Sequence, residues 1–133
     1  MTTPSITNGE AGSSVRATLN ISLANTSIHT DVLPVAGGQA AATQLDYGFS
    51  SVLDSGSSSD GVQLPPALAG TLVYLFPYGN HNTQVLVWAK NGTSDSINGQ
   101  SNNTAFDALT VNYRPTTFIC AVDGQWQTNA VVD

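Results

Sequence analysis

The sequence predicts an all-β domain, a small antiparallel β-sandwich or barrel with an extended N-terminal arm. Three observations predict it. Turn-forming residues recur about every ten residues, the spacing of short strands in small β folds. Apolar residues alternate with polar ones, as in Ala17, Leu19, Ile21 and Leu23 set between Thr18, Asn20 and Ser22. No long segment holds a 3.6-residue apolar period. The third observation is a hairpin near the end of the chain. Thr117–Val122 is an apolar strand, Asp123-Gly124 suits a two-residue type I′ turn, and Gln125–Thr128 returns with Trp126 as its large apolar group.

Taken in order, Met1–Ser14 is polar and small, with Pro4, Gly9 and Gly12, and offers no face to bury. Residues 1–27 therefore read as an arm that contributes one strand, and 28–133 as the folded domain. Asn25-Thr26-Ser27 interrupts the first alternating pattern. Gly37-Gly38 and the small residues to Thr43 form a link, after which Leu45, Tyr47 and Phe49 fall on one side of a strand. Asp54–Gly61 is a Ser/Gly loop. Val62-Gln63-Leu64 is a short strand stopped by Pro65-Pro66, and Ala67–Gly70 is a bend. Thr71–Phe76 is a strand apolar on both faces. In Thr83–Lys90, Val85, Val87 and Ala89 lie opposite Leu86 and Trp88. Asn91-Gly92 and Asn98-Gly99 are turn pairs that bracket Ser96-Ile97, and Phe106, Leu109, Val111 and Tyr113 lead to the hairpin.

The 133 residues suffice for one domain with one core. Charged residues make up only 9% of them, and the net charge is −6. Arg16, Lys90 and Arg114 are scattered, which gives phosphate backbones no basic patch and argues against nucleic acid as a partner. An anionic membrane surface is disfavoured for the same reason. No apolar run approaches the ~20 residues that span a bilayer. The opening residues have neither a basic nor an apolar leader region, which predicts synthesis in the cytoplasm. Cys120 stands alone in an apolar strand and reads as a buried, inert thiol.

Candidate chemistry is thin. Asp54-Ser55-Gly56 follows two apolar residues, as in the active-site turn of aspartic proteases, where paired carboxylates share a proton. The helix and apolar-apolar-Gly element that accompany that turn are not readable here. His29 and His81 read as exposed turn residues with no carboxylate or thiol at metal spacing. Asp46, Asp54, Asp60, Asp95, Asp107 and Asp123 sit singly in loops, where a calcium ion shared between subunits is the alternative to plain solvation. Trp88, Trp126, Phe76 and Phe118 read as core. The expectation is a protein with no catalytic residues, no cofactor and no metal.

One longer pattern rises above fold class. It comprises Gln39–Leu45, Gly61-Val62-Gln63-Leu64-Pro65-Pro66 and Ala69-Gly70 before an apolar strand. It continues through Val85–Ala89, Asp95–Gly99, Asn103–Phe106, Phe118–Cys120 and Gly124-Gln125-Trp126. In order and spacing this resembles a β-rich module of tailed-bacteriophage virion proteins, over about three quarters of the chain. Val73–His81 departs from the pattern by its extra aromatics. The resemblance implies a structural component of a virion, either capsid-decorating or fibre-like.

Chain physics favours the first. No heptads, long repeat or basic patch suit a shaft or a genome contact. The arm, extended, would reach ~90 Å at ~3.3 Å per residue. Val15, Arg16, Leu19, Ile21 and Leu23 would then add a strand to a neighbouring sheet edge. The expected partners are the major capsid protein and further copies of this chain, as a trimer on the local three-fold positions of a capsid. The alternative is a fibre or tail-tip module whose exposed Tyr78, His81 and Trp88 contact a host receptor.

Overall fold

In the computed structural model, residues 28–53, 57–77, 84–108 and 115–133 are described. They form eleven strands and no helix. In chain order these are β1 (Ile28–Val32), β2 (Thr43–Gln44), β3 (Gly48–Val52), β4 (Gly61–Gln63), β5 (Thr71–Pro77) and β6 (Val85–Trp88). There follow β7 (Ser96–Ile97), β8 (Phe106–Ala108), β9 (Thr116–Val122), β10 (Gln125–Thr128) and β11 (Val131–Val132). Six of them make sheet A, in the order β1-β3-β5-β9-β10-β7. The other five make sheet B, in the order β11-β8-β6-β4-β2. The all-β sandwich expected from the sequence is present.

Its strand directions differ from the expected antiparallel arrangement. β1, β3 and β5 run parallel in sheet A, and β2, β4 and β6 run parallel in sheet B. The cause is the route of the chain, which alternates between the sheets from β1 to β8; β3 to β6 and β8 each return beside the strand two before them, while β7 lies beside β10 instead. Ile28, Phe49 and Tyr74 consequently stand in register across three strands, as do Thr43, Val62 and Val87. Antiparallel strands then close the coil: β9 beside β5, and β8 beside β6. Alternation of side chains cannot distinguish the two directions, since both share a period of two.

Between the sheets, Val52, Val73, Leu75, Ile97, Phe118, Cys120 and Trp126 meet Val62, Val85, Val87, Phe106 and Ala108 in one core. Burial of each such apolar side chain contributes about 1.5–3 kcal/mol. Trp126 is fully buried, and its indole N–H donates to the Pro65 carbonyl at 3.3 Å. Ser50 faces this core from β3 with its hydroxyl unpartnered, at a cost of about 1–3 kcal/mol.

The closing hairpin is present, but its turn is not type I′. Gly124 has φ +81°, whereas Asp123 is not among the positive-φ residues, and the type requires both. Gln125 pairs with Val122 and Trp126 with Cys120, so Ala121 is an extra residue, a bulge in β9. Positive φ at two successive residues occurs instead at Asn98 (51°) and Gly99 (75°), closed by the Gln100 amide on the Ile97 carbonyl at 2.9 Å.

Leu45, Tyr47 and Phe49 do not share a strand face. β2 ends at Gln44, and Gly48 at φ +96° redirects the chain. Leu45 enters the core, Tyr47 packs at its margin, and Phe49 is half-buried at the register position of Tyr74. The bend at Ala67–Gly70 is a turn, with Gly70 at φ +86° and the Thr71 amide on the Leu68 carbonyl.

Candidate interaction surface

The outer faces of the two sheets are built differently. On sheet B, β6 buries both of its sides: Val85 and Val87 inward, Leu86 and Trp88 outward against Ala42 and Ala105. The turn at Gly38–Ala42 covers this outer side. Gln63 secures it, with Nε2 donating to the carbonyls of Ala42 (2.8 Å) and Gln39 (3.3 Å) and Oε1 accepting from the Asn91 amide (3.0 Å). Gln39 Nε2 donates in turn to the carbonyls of Ala89 and Asn102 and to Asn102 Oδ1, each at 2.9 Å. Asn102 Nδ2 donates to the carbonyls of Asp95 (2.8 Å) and Lys90 (3.1 Å). Three carboxamides thus satisfy the backbone of three loops without any charge.

Trp88 belongs to this arrangement. It is only 6% exposed, which corrects the expectation that it forms an exposed recognition surface and bears out its reading as core. Its two proposed companions, Tyr78 and His81, lie outside the described residues. So do Val15, Arg16, Leu19, Ile21 and Leu23 of the arm, and Asp54-Ser55-Gly56.

Sheet A has no comparable network of described residues on its outer side, where Ser51 is buried and Phe49, Leu72, Tyr74 and Phe76 are half-buried. Its outward positions are Phe49 and Ser51 on β3, Leu72, Tyr74 and Phe76 on β5, Thr117, Ile119 and Ala121 on β9, and Gln127 on β10. None is charged. The Phe49 and Tyr74 rings are 5.4 Å apart and those of Tyr74 and Phe76 6.1 Å apart, an aromatic row across two strands. Ile119, opposite Leu72, is 52% exposed. Beside it Thr117, Ile119, Gln127, Thr128 and Asn129 line a shallow depression. No family model, curated protein or solved structure matches this chain.

The ionisable groups are placed as follows. His29 is on β1, not in a turn, and its Nε2 lies 3.4 Å from Asp46 Oδ2. Asp95 is buried, and its Oδ2 accepts from the Ala67 amide at 2.9 Å. Asp123 Oδ1 accepts from the Ala69 amide at 2.8 Å, so Asp95 fastens the bend to the segment before β7 and Asp123 fastens it to the β9–β10 turn. Tyr47 donates its hydroxyl to the Pro66 carbonyl at 2.7 Å; burial raises its pKa, with the Asp95 carboxylate adding to the shift.

Cys120 is buried as expected. Burial pushes its thiol up, partly offset by the hydrogen bond to the Gln125 backbone, so it is held as the unreactive thiol. Asp107 lies on β8 instead of in a loop. One carboxylate oxygen is buried without a partner, and burial, then the Asp133 carboxylate, raises its pKa. Among the described residues no three His, Cys, Asp or Glu side chains converge as a metal site would require.

The carboxamide network and the His29–Asp46 contact were not anticipated. Gln63, a polar residue between Val62 and Leu64 in an otherwise apolar strand, was the one local signal of the network.

Proposed function

We propose that this chain is a non-enzymatic structural protein of a tailed-phage virion. In this reading it is a head decoration (cement) protein that binds the outer capsid surface and bridges neighbouring capsid subunits. The observation that carries the reading is the outer face of sheet A, a broad, uncharged surface with an aromatic row and an exposed isoleucine. Aromatic groups free of charge are what the centre of a protein–protein interface uses. The phage-like pattern along the sequence supplies the context of a virion, and the major capsid protein is the partner.

The mechanism is non-covalent clamping. Each copy lays sheet A against the shell, its polar N-terminal residues reach across to neighbouring subunits, and many modest contacts sum by multivalency. Copies associate as a trimer at local three-fold positions.

The test adds purified protein to expanded heads that lack it and measures the copies bound by band density. Hundreds of copies per particle are expected. Ile119→Lys should abolish binding while leaving the domain folded, and deletion of residues 1–14 should weaken it. Absence of binding to heads rejects the reading. Tens of copies or fewer, confined to tails, assign the chain to a fibre or tail tip instead.

A further inference from the structure

Three asparagines in the chain are followed by glycine, at Asn8, Asn91 and Asn98, and the last two lie among the described residues. Such a pair carries its own chemistry. The glycine amide nitrogen can attack the asparagine side-chain carbon, because glycine has no Cβ to shield that nitrogen or to restrict the backbone as a ring closes. Asn91-Gly92 lies between β6 and β7, and Asn98-Gly99 directly after β7. All four residues are exposed, and both glycines have positive φ, 79° at Gly92 and 75° at Gly99. Exposure and glycine conformation therefore do not separate the two pairs.

Their carboxamides do. Asn98 is clamped to the backbone of Thr128 at both ends: its Nδ2 donates to the Thr128 carbonyl at 2.9 Å, and its Oδ1 accepts from the Thr128 amide at 3.0 Å. The clamp holds the side chain against β10 and retains the nitrogen that would have to leave. The Asn91 side chain makes no hydrogen bond among the described residues, nor does the Gly92 amide. What is fixed there is the stem of the turn. The Asn91 backbone amide donates to Gln63 Oε1 at 3.0 Å, and the Lys90 carbonyl accepts from Thr93 Oγ1 (2.8 Å) and Asn102 Nδ2 (3.1 Å). The two Asp-Gly pairs are blocked in another way, since the Gly61 amide donates to the Val35 carbonyl (3.1 Å) and the Gly124 amide to the Ala67 carbonyl (2.8 Å).

We propose that Asn91 is a site of spontaneous covalent modification in the folded chain, and that Asn98 is spared. The Gly92 nitrogen loses its proton and bonds to Asn91 Cγ. The bond from Cγ to the side-chain nitrogen breaks, and ammonia leaves with a proton. Water then opens the resulting cyclic imide at either carbonyl. One opening gives an aspartyl residue, the other an isoaspartyl residue whose main chain runs through Cβ and Cγ. The isoaspartyl product lengthens the main chain within the turn that Gln63 and Asn102 hold, so the modification acts on the carboxamide network of sheet B. The inference is independent of the decoration role.

The full-length chain, incubated in mildly alkaline buffer and mapped over time by tandem mass spectrometry, tests it. Conversion at Asn91 should be about tenfold or more faster than at Asn98, because both hydrogen bonds of the clamp must break before Asn98 reacts. In urea sufficient to unfold the chain the two rates should converge. Gly92→Ala should slow conversion at Asn91 by a similar factor and leave Asn98 as it was; the added Cβ meets no atom within 4 Å, so the exposed turn accommodates it despite the positive φ. Equal rates at the two sites in the folded chain overturn the proposal, as does an Asn91 that stays intact over the time in which urea-unfolded chain is converted. A difference that persists unchanged in urea also overturns it, since local sequence would then be its cause. Conversion at Asn91 that Gly92→Ala does not slow overturns the ring-closing step.

Discussion

Sheets A and B come from one winding chain, yet their outer faces are finished differently. Sheet B is closed: Leu86 and Trp88 are covered by the Gly38–Ala42 turn, and Gln39, Gln63 and Asn102 pair the backbone groups that this cover buries. Sheet A carries Phe49, Tyr74, Phe76 and Ile119 with no comparable network among the described residues. The contrast is one of construction: the chain's own loop and carboxamides seal the outer side of sheet B, and no such network of described residues lies over sheet A.

The sharpest way to break that comparison is at Gly61. An added Cβ would lie under 3.0 Å from both the Trp88 ring and the Leu86 carbonyl oxygen, and the latter, being backbone, cannot swing aside. Gly61→Ala should destabilise by about 3 kcal/mol or more, at the upper end of overpacking effects, as measured by urea denaturation. A loss below about 1 kcal/mol would mean that the cover over sheet B is loose, and the contrast with sheet A would fail.

Next in size is Gln63→Ala. It leaves the Asn91 amide and the Ala42 carbonyl without their partner, which should cost about 2 kcal/mol. Denaturation midpoints measure this, and increased exchange at the Asn91 amide should accompany it. If Gln63→Ala is neutral, water replaces the carboxamide and sheet B is less sealed than the geometry indicates. On sheet A, Ile119→Lys should change stability by no more than about 0.5 kcal/mol, as is usual for exposed positions. A large loss there would show that its outer face is part of the fold after all.

What was legible in the sequence follows the same division. Alternation and turn residues expose a β sandwich, and Val62, Val73, Val85, Phe118 and Trp126 are recognisable as core because strands repeat every two residues. The directions of the strands were not legible, because they depend on whether the chain crosses between sheets, and crossing loops such as Pro65–Gly70 leave no periodic mark. The type I′ turn was expected at Asp123-Gly124 and occurs at Asn98-Gly99, since both pairs tolerate positive φ and only the bulge at Ala121 distinguishes them. Trp88 carried two readings at once, because aromatic side chains suit a core and a binding face equally. The Gly38–Ala42 turn decides between them, and it is composed of residues too small to advertise a packing role.

The smallest expected effect lies at the margin of sheet B, where β8 pairs with β11. Asp107 has a raised pKa in the folded state, first from burial and then from the Asp133 carboxylate. A carboxyl whose folded pKa exceeds its unfolded value favours the fold while protonated. That contribution is complete below the unfolded pKa and is lost as pH rises through the folded pKa. Asp107→Asn keeps the shape of the protonated carboxyl without the charge, so it should raise the urea midpoint at pH 7 and leave it nearly unchanged at pH 3. Equal effects at both values would trace the change to packing instead of ionisation. A lower midpoint at pH 7 would mean that the Asp107 carboxylate is stabilised in the fold, and that the margin of sheet B is more open to solvent than its centre at Gln63 and Trp88.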